Sequence, residues 1–183
     1  LSRARMQNSR ATLIRRHLLG ETSLILSWCT EKSGLVRTAA KGARGPRSGF
    51  AGKLDLFFEA EIAWVPARRG DLHVLREVVL VYARLGLRAS YVQSLAAAYF
   101  TSLVELVAET DTPIPELHAL LVRALDWLAA HPPTTAAVIR FENRVAELLG
   151  LGKPDHGGAA GLLDMFHRLP SSRRQLFKEL PAM

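Results

Sequence analysis

The segment Lys41-Gly42-Ala43-Arg44-Gly45-Pro46-Arg47-Ser48-Gly49-Phe50 places three cations, three glycines and a proline together without an acid. Such a stretch cannot bury itself, and its like charges repel. Cations three residues apart on a glycine-rich backbone neutralise phosphates, so the chemistry on offer is the holding of a polyanion. Phe50 ends the stretch with no alternating partner, which makes its ring a candidate for stacking on a base. Single-strand binders combine cations that follow the backbone with rings that take the bases. A solvated connection would share this composition. The charge distribution of the whole chain favours the binding reading.

Residues 1–81 hold 14 Lys+Arg and 7 Asp+Glu, and residues 82–183 hold 10 of each, so the entire excess of +7 lies in the first part. With a pI near 10.2, this asymmetry points to a surface for nucleic acid or anionic membrane in one domain. No stretch approaches the ~18 uncharged apolar residues of a spanning helix, so no membrane partner is expected. The first 20 residues are Arg-rich and acid-free like a transit peptide, but Thr12–Leu19 reads as a strand and no small-residue cleavage site follows. The chain opens on Leu1, and Met6 is a candidate start.

Bond-making chemistry has no foothold. There is no G-x-S-x-G, H-E-x-x-H or G-x-G-x-x-G. Gly52-Lys53 resembles a phosphate loop, but Leu54 replaces the Ser or Thr and Arg47 the first glycine. His17, His73, His118, His131, His156 and His167 show no ligand spacing, and the single cysteine, Cys29, cannot build a zinc ribbon. The expectation is a non-enzyme with no metal, no cofactor and no small-molecule substrate. Cys29 lies in the apolar run Leu24–Cys29 and reads as a buried thiol in a reducing, cytoplasmic protein. Glu105, Glu109, Glu142 and Glu147 read as solvated or ion-paired helix positions, Glu142 between Arg140 and Arg144.

Up to Val81 the pattern is β, with strands predicted at 11–19, 22–30, 35–41, 57–65 and 72–81. Gly34 closes a tight turn after Glu31-Lys32-Ser33, and Arg68-Arg69-Gly70-Asp71 makes the last one. Alternation puts Arg37 and Lys41 on one face of the third strand. Trp28 and Phe58 follow the apolar pattern into the core. Five short strands with a basic face suggest an oligonucleotide-binding (OB) barrel, with an SH3-like barrel as the alternative. From Leu85 the period is helical. Helices are predicted over 88–109, from Pro113/Pro115 through Leu128, and from a Thr134 or Thr135 cap through Leu148, ended by Gly150 and Gly152. Leu95, Tyr99, Leu121, Leu125, Phe141 and Leu148 are the expected core. Residues 153–161 read as a linker and 162–180 as one or two short helices. The fold class is α+β, with an OB-type barrel over 1–81, an all-α domain over 82–152 and a tail over 153–183.

Several runs are similar to the RecO family of bacterial recombination mediators. They are Gly20–Leu26, Gly34-Leu35, Ala40–Arg44, Phe50-Ala51-Gly52, Arg69–Leu72, Leu75-Arg76-Glu77, Leu85–Arg88, Arg140-Phe141-Glu142 and Leu148–Gly152. The resemblance covers roughly 11–152. It implies an OB fold with a helical domain and binding of single- and double-stranded DNA. It further implies annealing of complementary strands, and recombinase loading onto strands covered by single-strand-binding protein, with RecR as partner. Lys41, Arg44 and Arg47 match the family's basic loop as DNA contacts; Arg37, Arg15 and Arg16 join them on charge alone. Many relatives carry a four-cysteine zinc module after the third helix, and no cysteine follows Cys29 here. The resemblance also places the chain at the nucleoid and suggests the acidic tail of single-strand-binding protein against Arg173-Arg174, although simple packing of the 162–180 tail on the helices is the preferred expectation. An RNA-binding or ribosome-associated OB module, or a helical scaffold with a merely basic barrel, would satisfy the composition as well.

Overall fold

The computed structural model describes residues 5–151 and 157–181. The chain forms two units: one takes the residues up to Ala83 together with Ala108–His118, the other Arg84–Val107 and the chain from Ala119 onward.

The first unit is a closed five-stranded barrel of β1 (Gln7–Leu19), β2 (Ser23–Thr30), β3 (Gly34–Ala40), β4 (Glu59–Val65) and β5 (Leu72–Tyr82), in the order β1-β2-β3-β5-β4. Every seam is antiparallel except β3–β5. This Greek-key closure is the OB arrangement, which answers the SH3-like alternative. β1 makes it possible by serving two neighbours, β4 through Gln7–Thr12 and β2 through Ala11–Leu19. Its register shifts between Leu13 and Arg15, the bend a long strand needs to turn the corner of a small barrel. β1 therefore starts four residues before the predicted strand. β4 starts two residues late, because Phe57 sits at φ 70 and hands its backbone to Leu13.

Inward positions carry Leu13, Leu26, Trp28, Val36, Ile62, Trp64 and Leu75, all buried. Trp28 and Phe58 are core, as their alternation predicts. Gly34 takes the expected positive φ of 64, and a Cβ there would lie 2.1 Å from the Thr112 carbonyl oxygen. That close approach belongs to the Ala108–His118 segment, which docks on the start of β3: Leu35 N–H donates to the Glu109 carbonyl and Asp111 N–H to the Leu35 carbonyl.

In the second unit a single 3-10 turn (Leu85–Arg88) precedes α1 (Tyr91–Val107); α2 (Pro115–Ala130), whose first turn belongs to the barrel unit, α3 (Thr135–Leu148), α4 (Gly158–Phe166) and α5 (Ser172–Glu179) follow. Thr134 caps α3, its hydroxyl accepting from Ala137 N–H. Tyr99, Leu121, Leu125, Val138, Phe141 and Val145 are buried, and Phe100 stacks on Phe141 at 4.0 Å. Two expected core residues differ. Leu95 is only half-buried, and Leu148, at the last turn of α3, is 39% exposed. Of the expected linker over 153–161, the part from Gly158 is helical. Residues 153–156, like Gly152, lie outside the described residues, while α4 already begins at Gly158, whose missing side chain lets it lie on the Glu142–Asn143 backbone.

Candidate nucleic-acid interface

The basic segment folds more than its composition suggested. Gly45, Ser48, Ala51 and Lys53 each donate an N–H three residues back, giving a run of tight turns made possible at the outset by Gly42 at φ 65. The run is fastened to the β1–β2 hairpin. Arg44 N–H donates to the Thr22 carbonyl, Gly42 N–H to the Ser23 hydroxyl and the Arg44 guanidinium to the Glu21 carbonyl at 2.9 Å. Ala43 and Phe50 lean on the barrel core. A stretch whose composition gave it no means to bury itself is thus anchored by its backbone and by Ala43 and Phe50, while Lys41, Arg44 and Arg47 stay on its outer side. Lys41, Arg44 and Arg47 are exposed. Phe50 is half-buried and anchors the loop, which limits the ring face it can offer to a base.

Register brings a second group to the same barrel. Arg15 pairs with Ser27 and Ser27 with Arg37, so the three form one row across β1–β2–β3. Leu26 and Trp28 point inward on either side of Ser27, so the row lies on the outer side of the barrel, where Arg15 is exposed, Arg37 half-buried and Ser27 buried between them. Arg15 and Arg37 are two strands apart, roughly 10 Å. Four positions along from Arg37 comes Lys41, roughly 13 Å away, and then the loop. Arg37 is not idle: its guanidinium donates to Asp71 Oδ2 at 2.8 Å. That hydrogen bond, first among the causes, holds the Asp71 carboxyl below its usual value. Arg16 points elsewhere, donating to the Leu54 carbonyl at 2.9 Å with Asp55 at 3.7 Å. The structure thus gathers Lys41, Arg44, Arg47, Arg37 and Arg15 into one band and separates Arg16 from it. Sequence reasoning passed over Arg68 and Arg69, exposed on the β4–β5 turn and separated from Asp71 by Gly70. Their signal was present in the chain but was read only as a turn.

The helical unit holds two further features. Glu142, expected to be solvated or paired with Arg140 or Arg144, is 1% exposed and pairs with Arg173 instead. It accepts from the Tyr99 hydroxyl at 2.5 Å and from Arg173 Nε and Nη2 at 2.7 and 3.1 Å. Burial, then the Glu142 charge, push the Tyr99 hydroxyl far up, while the bond to Glu142 raises the Arg173 guanidinium. Arg173 also lies 4.3 Å over the Phe177 ring. The tail is therefore packed on its unit, and Arg173 already has a carboxylate. Separately, α2 and α3 frame a groove of about 460 Å³ with Phe100, Trp127 and Phe141 in its lining and Arg123, Arg140 and Arg144 among them. Among the described residues no group of His, Cys, Asp or Glu is placed to hold a metal ion, and no helix is long and apolar enough to cross a membrane.

A closed five-stranded barrel with a band of cations on its outer side, joined to a helical unit, defines the class: an OB-fold protein with a basic barrel surface. Residues 5–84 match the family described as Recombination protein O N terminal, and residues 88–154 the family described as Recombination protein O C terminal. Over 144 residues the chain is 35% identical to the DNA repair protein RecO of Proteus mirabilis (strain HI4320), an overlap of 78% of this chain and 57% of that protein. The chain belongs to the RecO family, and it spans little more than half the length of this curated relative.

Proposed function

We propose that the chain is a non-enzymatic DNA-binding mediator of recombinational DNA repair, acting in the cytoplasm at the nucleoid. It holds single- and double-stranded DNA on the barrel, anneals complementary strands and, with RecR, helps load recombinase onto strands covered by single-strand-binding protein. The observation that carries the reading is the band of Arg15, Arg37, Lys41, Arg44 and Arg47 on the outer side of an OB barrel, with Lys41, Arg44 and Arg47 exposed on a loop whose backbone is fastened to the β1–β2 hairpin. The family and the name of the Proteus relative support DNA repair as the setting.

The acidic tail of single-strand-binding protein fits the α2–α3 groove better than the Arg173-Arg174 position that the resemblance suggested. Arg173 is committed to Glu142, whereas the groove offers the exposed Trp127 ring to a hydrophobic side chain and Arg123 and Arg140 to acids, Arg144 being paired with Glu147.

The test is a binding isotherm with labelled single-stranded DNA at two salt concentrations, with matched RNA as competitor. If five phosphates are neutralised, log K falls with log[salt] at a slope of about −3.5, on the order of 100-fold between about 50 and 200 mM. A flat response refutes a backbone-tracking band. RNA that competes better than DNA moves the reading to an RNA-binding module.

A further inference from the structure

We infer that Asp71 is a built-in competitor for the phosphate that Arg37 would otherwise hold, so that the Arg37–Asp71 pair is a clasp that a DNA strand exchanges open. The inference rests on the DNA-binding reading. Arg37 stands within the outward β1–β2–β3 row, beside Ser27 and in register with Arg15. Its partner is 2.8 Å away, and the two side chains are 43% and 48% exposed, so solutes reach both. An ion pair this open contributes little to stability, so holding the barrel together is a poor account of it. A phosphodiester oxygen accepts from a guanidinium as a carboxylate oxygen does. The exchange leaves neither partner buried and unpaired.

The position of the clasp gives it a second consequence. β3 and β5 are joined by only three register pairs, Arg37–Leu72, Thr38–His73 and Ala39–Val74, the fewest of any seam. Asp71 stands directly ahead of that seam, at the end of the β4–β5 turn. When phosphate displaces it, the turn that carries the exposed Arg68 and Arg69 loses a tether to β3 and gains freedom to follow the strand. Asp71 thus sets a threshold: an isolated anion competes poorly with a tethered carboxylate, whereas a polyanion already held by Lys41 and Arg44 presents phosphate at high local concentration.

The experiment compares D71N, R37Q and the double variant in full-length protein by fluorescence anisotropy with a labelled oligo(dT). E61Q, which removes an exposed acid on β4, is the control for net charge. D71N is expected to tighten binding about 2- to 5-fold, the scale of an exposed pair, and R37Q to weaken it. In the R37Q background D71N should gain no more than E61Q does. Equal gains from D71N with and without Arg37 overturn the clasp and leave a long-range charge effect. Unchanged or weaker binding by D71N overturns it too. Melting curves accompany each titration. If D71N melts early, D71S reads the same competition, and early melting of both makes the pair structural and refutes the inference. Wild-type protein that does not bind DNA refutes the underlying reading; wild-type binding with an inert D71N refutes the clasp alone.

Discussion

Cutting the Glu142–Arg173 pair from its two ends is expected to harm the helical unit unequally. Glu142 is 1% exposed, Arg173 31%. R173M strands a buried carboxylate with the Tyr99 hydroxyl as the one remaining donor of the three that reach it here. Removing one partner from a buried pair costs about 3–5 kcal/mol when the remaining charge is left uncompensated. E142Q strands the arginine instead, but Arg173 reaches water and keeps the Phe177 ring beneath it. The glutamine amide oxygen still accepts from Tyr99, so this variant should lose about 1–2 kcal/mol. The gap of about 2 kcal/mol is a roughly 30-fold difference in the unfolding constant. Urea titration followed by far-UV circular dichroism, with Trp127 fluorescence as a probe of the helical unit, measures it. If E142Q costs as much as R173M, or if neither shifts the transition, the Glu142 carboxylate is not the buried hub of this unit.

Replacing Lys41, Arg44 and Arg47 together by Ala should weaken single-stranded DNA binding by an order of magnitude or more while the protein stays folded, with Arg44 contributing most of a small stability loss through its bond to Glu21; unchanged affinity by anisotropy rejects the loop as a contact. Burial pushes the Cys29 thiol from 9.0 up to about 12. Because the unfolded chain ionises first, its share of stability is intact below pH 9 and falls by about 1.4 kcal/mol per unit above it. C29A should flatten that part of an alkaline denaturation curve, and native Cys29 should resist thiol reagents at pH 8. G34A forces a side chain into positive φ and against the Thr112 carbonyl. It is expected to cost about 3 kcal/mol or more, seen as a lower barrel melting temperature; a neutral G34A would mean that the Ala108–His118 segment yields easily.

Much of the barrel was legible because Leu24, Leu26 and Trp28 in β2 recur at every second position on the core side, and Gly34 and Gly70 punctuate the turns. The start of β1 was not, because Gln7–Ser9 are polar and owe their strand to pairing with β4, some 55 positions later. The row of Arg15, Ser27 and Arg37 was invisible for a related reason. A bulge at Leu13–Arg15 reverses the alternation, and only register shows which face Arg15 takes. Glu142 was misread because its sequence neighbours Arg140 and Arg144 offered a local explanation, while its real partners are 43 and 31 residues away. The basic segment was found by composition alone. Its turns were missed because backbone hydrogen bonds to a neighbouring hairpin leave no trace in side-chain type.

The docking of Ala108–His118 on the start of β3 has a consequence for how the molecule is made and divided. That segment leaves the ribosome after the whole of α1, so the barrel unit lacks its last piece while the first helix of the other unit is already present. Vectorial synthesis, which lets most leading domains finish early, cannot finish this one until about residue 118 has emerged. For the same reason no single peptide bond separates the two units. A fragment ending near Ala83 would carry Leu35 with its edge hydrogen bonds unmade, and its weak folding or aggregation would say nothing about how well the intact barrel holds DNA.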